Sequence, residues 1–441
     1  MTETRPPRGL GQAKTASPPE TSTDVWGPTV VGHGRRQLRR TLLLAAAGLV
    51  IAAGVVVALL YQVANSNLER VALPALAERS RGPLNVLVVG SDARSGLTPE
   101  EARLYTLGET DGERGDTVML ISLGADRRHA GVVSFPRDLL VRDGDRRRKL
   151  TEAFADGPDR VVRLLQTATG VPIHHYVEVS IPGFIGVVEA VDGVEICLDE
   201  ALHDPKSGAN FTAGCHHFDP RASLAYVRSR ATERGDFDRM ERQQTLMRAL
   251  LQRLTAMRTL VDVPRLFDVV ERVSRNVSTD SELGPRHMAR LALQLRRLAA
   301  GSVPMITMPA YPTELDGRSY VVPYEPGARR LFKALAEGSP IMDHGTREQR
   351  QAASVALWTT SRSRGLDRVQ RTLFWSGFTV NSAGRGPLDG GRRTTVYAVP
   401  GHEQAAGWVE ATLGAPGSPL PANVSVPSGV HVIVALGEDA A

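Results

Sequence analysis

The chain of 441 residues has only two cysteines, Cys197 and Cys215, and aromatic residues make up just 5% of it. Two thiols are too few for a cysteine-based zinc module, and His216 and His217, beside Cys215, bring no further ligands at useful spacing. With so few rings, the 42% hydrophobic content is mostly Ala, Val and Leu, and 23% charged residues is ordinary for globular material. The charge excess is also small: 53 basic against 48 acidic side chains give +5, too mild to signal a nucleic-acid partner. No Gly-x-Ser-x-Gly turn surrounds Ser91, which argues against a hydrolase nucleophile there. His174 and His175 are adjacent, so on a strand they face opposite sides and cannot easily share one metal. No internal repeat is visible.

One long apolar run is present. Residues 41–63 read TLLLAAAGLVIAAGVVVALLYQV without a charge. About 20 such residues at a rise of about 1.5 Å span a hydrocarbon core of about 30 Å. Arg35, Arg36, Arg39 and Arg40 precede the run, so its N-terminal end is expected in the cytoplasm and the rest of the chain outside the cell membrane. A cleaved signal peptide, with Ala75-Leu76-Ala77 as processing site, is the competing reading; signal cores are shorter, about 7–15 residues. Residues 1–40 are rich in Pro, Ser, Thr and Gly, end in the arginines, and read as a disordered basic tail.

Beyond a stalk over residues 64–82, the pattern is α/β. Asn85–Val89, Thr117–Leu123 and His129–Phe135 are continuous apolar runs suited to buried strands. Helical spacing marks Asp159–Thr167, Ile181–Val191, Phe237–Arg258 and Arg286–Ala299, and this domain is expected to span 83–315. Residues 316–352 read as a connecting segment with a helix near Ala328–Glu337. A small βαβ-type domain follows over 353–438, with strands at Val355–Leu357, Phe378–Val380, Thr394–Val399 and His431–Leu436, and helices at Leu366–Trp375 and Glu403–Leu413. It carries no cluster of acid, base or nucleophile, and is expected to bind a polymer or a protein partner.

Four polar clusters lie at element ends in the larger domain. They are Gly90-Ser91-Asp92-Ala93-Arg94 after the first strand, Arg114-Gly115-Asp116-Thr117 before the second, Phe135-Pro136-Arg137-Asp138 after the third, and Tyr226-Val227-Arg228-Ser229-Arg230 followed by Asp236, Arg239, Arg242 and Gln243. Ligands in α/β sheets bind at strand C-termini. If the segment around Arg228 and Arg230 is extended, the two project together; Arg242 and Gln243, three and four residues after Arg239, share a helix face with it. Converging guanidinium forks suit a pyrophosphate. Two carboxylates beside a pyrophosphate, here Asp92 and Asp116, are a way to hold Mg²⁺. Each cluster alone also reads as a solvated face or a turn, and Asp236, Asp238 and Glu241 would neutralise some of the charge. Cys197 and Cys215 would close one disulfide loop in an oxidising compartment, or remain two core thiols.

As an ordered set, NVLVVGSDAR, RGDTVML, SFPRD, GVEICL, YVRSR and GDFDRMERQQ resemble the LytR-CpsA-Psr family of cell-wall glycopolymer ligases. The resemblance covers about 83–312; GLDRVQRTLFWSGFTV and VHVIVALG resemble the small C-terminal LytR-associated domain of actinobacterial members, and the two cysteines resemble a pair common there. It implies a central mixed sheet flanked by helices. It also implies a Mg²⁺- or Mn²⁺-dependent phosphotransferase, with pyrophosphatase side activity, acting on a polyprenyl-pyrophosphate-linked glycan with peptidoglycan as acceptor. The lipid would lie in an apolar tunnel between sheet and helices. Residue by residue, Asp92 and Asp116 match the metal-binding acids. Arg94, Arg137, Lys149, Arg228, Arg230, Arg239 and Gln243 match the pyrophosphate clamp, which Arg114 and Arg242 would extend. Asp116 or Asp138 would be the base.

The sequence departs from the family pattern at Lys149-Leu150-Thr151-Glu152-Ala153, where Glu152 would repel a pyrophosphate unless it faces away. It departs again at Asp192-Gly193-Val194 and at Asp238, where Gly is common, and by an insertion, Leu97–Glu113, expected as a mobile flap. A non-catalytic envelope scaffold that binds lipid-linked precursors is the rival reading.

Overall fold

The structure, a computed structural model, describes residues 54–78, 82–95, 97–107, 115–254, 263–299, 303–359 and 365–440. Nearly all of them belong to one compact unit, Val56–Ala441. No helix among the described residues is long and apolar enough to cross a membrane. The predicted span 41–63 lies outside them except for its end, 54–63, which is helical.

A seven-stranded mixed sheet organises the larger domain. Its strand order is Glu69–Val71, Val277–Asp280, His175–Val179, Leu84–Ser91, Gly115–Leu123, Ala130–Phe135 and Met305–Thr307. Leu84–Ser91 pairs antiparallel with Gly115–Leu123 and parallel with His175–Val179. The central runs are apolar throughout because both faces are covered: Leu87, Val89, Leu120 and Val133 enter one core, while Val86, Leu84 and Leu123 enter another. The segment read as a stalk supplies the edge strand Glu69–Val71, and Leu73 is buried in the first core.

The segment 316–352 also does more than connect. Arg318–Pro323 pairs with Ala310–Leu315, and the helix Glu325–Glu337 buries Ala328, Leu331 and Leu335 in the first core. Beyond it, a five-stranded sheet in the order Thr379–Arg385, Ser354–Thr359, Val432–Ala435, Thr395–Ala398, Gly417–Pro419 packs one face against helices Leu366–Trp375 and Glu403–Leu413. Ser354–Thr359, the first of these helices and Thr379–Arg385 form a parallel βαβ unit.

Cys197 and Cys215 form a disulfide. They stand directly opposite each other in the antiparallel hairpin of Val194–Leu198 and Gly214–Phe218.

Candidate active site

The helix Asp236–Leu254 is the spine of the site. Gln244 fixes it to the sheet by donating to Ser134 Oγ at 2.9 Å and Thr307 Oγ1 at 3.1 Å. At its start stands Asp236, whose carboxylate gathers three guanidinium groups. Arg239 Nη2 lies 3.1 Å away, Arg230 Nε 3.3 Å and Arg137 Nε 3.5 Å. Arg137 arrives from the end of the strand Ala130–Phe135, Arg230 from the loop before the helix, and Arg239 from the first turn. Three cations around one carboxylate leave a balance of +2 among these four groups, an arrangement suited to an anion carrying two or more charges.

Lys149 joins from a hairpin. Backbone N–H groups of Leu150 and Thr151 donate to the carbonyls of Leu139 and Arg137, at 2.9 and 2.8 Å. This sets Lys149 Nζ 3.2 Å from Asp138 Oδ2. Glu152 faces away: its carboxylate accepts the Lys149 backbone N–H at 3.3 Å and pairs with Arg318.

Behind this cluster runs a cavity of about 300 Å³. Its walls are sheet residues such as Val88 and Met119, Ile181 and Phe184 from the helix Ile181–Ala190, and Leu224 and Val227 from the helix Pro220–Arg228. Leu246, Leu250 and Leu251 of the spine helix complete it. Arg239 and Gln243 line it as well, as do Arg228 and Asp92. At a rise of about 1.5 Å per residue, Leu250 lies about 16 Å along the helix from Arg239. The cavity therefore has a charged end beside the arginine cluster and a greasy end. Gly90, on its wall, admits no side chain easily, because a Cβ there would come within 3.0 Å of Thr117.

The strand register places residue 116 near Asp92: Gly90 opposes Thr117 and Ser91 opposes Gly115, with a bulge between. The side chain of Asp116 and the whole of Arg114 lie outside the described residues. Among the described residues no group of three or more His, Cys, Asp or Glu is placed to hold a metal. Ser91 Oγ accepts the Ala93 N–H at 3.1 Å, a turn-forming role. Arg94 follows in the same turn, but it is not among the residues lining the cavity.

Three expectations need correction. Arg228 and Arg230 do not lie on an extended segment. Asp219 caps a helix, Pro220–Arg228, so Arg228 ends a helix and Arg230 lies in a loop. Arg228 Nη1 donates to the carbonyls of Tyr105 and Thr106, at 3.3 and 3.1 Å, at the cavity wall. Arg242 does not join the clamp: it is buried, 3% exposed, and donates to Ser229 O at 2.6 Å and Thr232 Oγ1 at 3.4 Å. The cause is helix geometry. Residues three and four after Arg239 sit to either side of it, about 100° apart, so Gln243 faces the cavity and Arg242 faces away. Burial pushes the Arg242 guanidinium below its usual range, opposed by Asp238. The described part of the insertion is not a free flap, since Leu97, Tyr105 and Leu107 pack on an apolar cluster.

His174 and His175 face different partners, as expected. The Asn85 N–H donates to His174 Nδ1, while His175 Nδ1 lies 3.1 Å from Asp280.

The back of the spine helix meets the C-terminal domain. Buried Glu241 lies 2.8 Å from Arg234 and pairs with Arg350, while Asp238 pairs with Arg234. Burial opposes ionisation of Asp238, yet Arg234 and Arg347 hold its carboxyl below the usual range. Arg234 donates to Trp375 O at 3.2 Å, and the Phe237 and Trp375 rings lie 5.2 Å apart.

The LytR_cpsA_psr family profile matches residues 58–337. The chain belongs to the LytR-CpsA-Psr family. The probable cell wall biosynthesis protein LcpB of Corynebacterium glutamicum is 34% identical over 320 residues, covering 70% of this chain and 76% of that protein. Its companion there, the cell wall biosynthesis protein LcpA, is 29% identical over 405 residues, 81% of this chain and 77% of that one. The polyisoprenyl-teichoic acid–peptidoglycan teichoic acid transferase TagU of Bacillus anthracis is 31% identical over 203 residues, 45% of this chain and 60% of TagU. The LytR-CpsA-Psr region holds the arginine cluster and the cavity. Asp236 is the site residue that sequence reasoning undervalued; an acid three residues before Arg239, on the same helix face, was the available signal.

Proposed function

We propose that this chain is a membrane-anchored phosphotransferase that moves a glycopolymer from a polyprenyl-pyrophosphate carrier onto peptidoglycan outside the cell. The observation that carries the reading is the junction of a polyarginine anion site with an apolar cavity: a pyrophosphate at one end, its lipid at the other. The apolar run 41–63 would keep the domain at the membrane from which the lipid enters.

Arg137, Arg230 and Arg239 would bind the pyrophosphate oxygens, with Arg228, Gln243 and Lys149 bordering them. An acceptor hydroxyl attacks the sugar-side phosphorus. The new P–O bond forms as the bond from that phosphorus to the bridging oxygen breaks, and polyprenyl phosphate leaves. The hydroxyl proton goes to a carboxylate, Asp138 or Asp116. Charge neutralisation and positioning supply most of the acceleration in such transfers.

Asp92 lines the cavity and residue 116 is its neighbour across the strand pair; these two acids would hold Mg²⁺, which takes one or two carboxylates plus phosphate oxygens and water. When bound there, the ion would offset charge on the pyrophosphate.

The test is release of polyprenyl phosphate from a pyrophosphate-linked glycan donor by the full chain in detergent with peptidoglycan and Mg²⁺. Binding without release would favour the scaffold reading.

A further inference from the structure

A second cavity, about 110 Å³, opens between the larger domain and the end of the segment 316–352. Arg242 and Thr245 of the spine helix line one wall, and Arg347, Glu348 and Gln351 of the short helix Arg347–Ala352 line the other. Asp199, directly after the strand Val194–Leu198 of the disulfide hairpin, completes the rim. We propose that this crevice binds a sugar ring of the wall glycan, so that the helix Arg347–Ala352, which leads into the C-terminal domain, helps build the substrate site. The proposal rests on the glycopolymer reading above.

Arg242 is the first argument. It is almost fully buried, makes no ion pair among the described residues, and its Nε has no hydrogen-bond partner. Nε itself is closed off from the crevice, but the guanidinium lines the wall, and a buried cation there favours an electron-rich, oxygen-bearing ligand. The second argument is the surrounding chemistry. Carboxylates of Asp199, Glu241 and Glu348 lie on the same walls as the donors, which disfavours a second phosphate. Sugar hydroxyls both donate and accept, and so match a lining that mixes guanidinium, amide, hydroxyl and carboxylate groups. The volume suits a single ring rather than a polymer segment.

The third argument is position. Arg242 holds Ser229 O and Thr232 Oγ1, and the same loop delivers Arg230 to Asp236. One loop thus separates the crevice from the pyrophosphate cluster, so a sugar on either the donor or the acceptor strand would lie close to it.

The experiment uses the full chain in detergent with three probes: geranylgeranyl pyrophosphate, a lipid-linked disaccharide pyrophosphate, and the soluble disaccharide released from peptidoglycan by a muramidase. Glu348→Gln with Gln351→Ala removes two exposed contacts, and Gln351→Trp fills the crevice. Both variants should bind geranylgeranyl pyrophosphate as the parent does. Each should weaken one sugar-bearing probe about tenfold, the loss of one or two hydrogen bonds. A loss confined to the lipid-linked probe assigns the crevice to the donor glycan, and a loss with the soluble disaccharide assigns it to the acceptor. Unchanged binding of all probes by both variants overturns the proposal, as does failure of the parent to bind either sugar-bearing probe. Failure of the parent to bind geranylgeranyl pyrophosphate would instead count against the phosphotransferase reading, whatever the disaccharide does.

Discussion

Arg137 and Asp236 come from distant parts of the sequence and meet with Nε and Oδ1 3.5 Å apart. The same carboxylate also receives Arg230 and Arg239. Asp236 therefore acts as an internal counter-ion that keeps three guanidinium groups together, and it competes with an incoming pyrophosphate for them.

Asp236→Asn should accordingly tighten equilibrium binding of geranylgeranyl pyrophosphate at low salt by about three- to tenfold, since one competing charge is gone. Turnover should fall because the arginines lose their common anchor. Titration of variant and parent at two salt concentrations checks this; weaker binding by the variant would show that Asp236 only organises the cluster.

The cavity makes a prediction about lipid length. Met247 lies on its wall, and Met247→Trp would occupy space meant for isoprene units. Loss of burial for two methylenes costs about 1.6 kcal/mol, somewhat more than tenfold. The KM for a long-chain donor should rise by about that factor, and that for a geranyl donor much less. Equal effects on both would argue that the lipid lies elsewhere.

Much of this was legible in the sequence, for definite reasons. Strands buried on both faces leave unbroken apolar runs, so Leu84–Ser91 and Gly115–Leu123 stood out. Short hairpins such as Leu202–Asp204 with Ala209–Phe211 leave no such trace. The arginine cluster was visible as motifs, but its geometry was not. Asp219-Pro220 is a helix start signal, and reading it would have moved Arg228 onto a helix end. The interdomain role of Arg234, Glu241 and Arg350 depends on how two domains dock, which no local pattern encodes.

That contact has a measurable energy. Glu241 is buried between Arg234 and Arg350, and Glu241→Gln would leave two guanidinium groups without their shared carboxylate. Breaking a buried pair in this way costs about 3–5 kcal/mol, a fall in Tm of at least about 6 °C. Thermal unfolding of the full chain reads it out, and a shift under about 2 °C would mean that the ion pairs contribute little.

His344, buried beside Arg350 and 3.3 Å from Thr412 Oγ1, gives a pH dependence. Burial, reinforced by Arg350, pushes its pKa down to about 3 from an ordinary 6.5. Folded protein keeps the ring neutral while unfolded chain protonates near 6.5, so this contribution is intact above 6.5 and is lost as pH falls toward 3. The slope is about 1.4 kcal/mol per pH unit within that window. Stability measured from pH 6 to pH 4 should fall more steeply for the parent than for His344→Gln, and equal slopes would remove His344 as the cause.

The central claim is that distant guanidinium groups act on one pyrophosphate. The most direct measurement is transfer by Arg137→Ala from a polyprenyl-pyrophosphate glycan to peptidoglycan, with folding checked by an unchanged Tm. Loss of about a hundredfold or more in kcat/KM is the expected result, and transfer at the parent's rate would contradict the account.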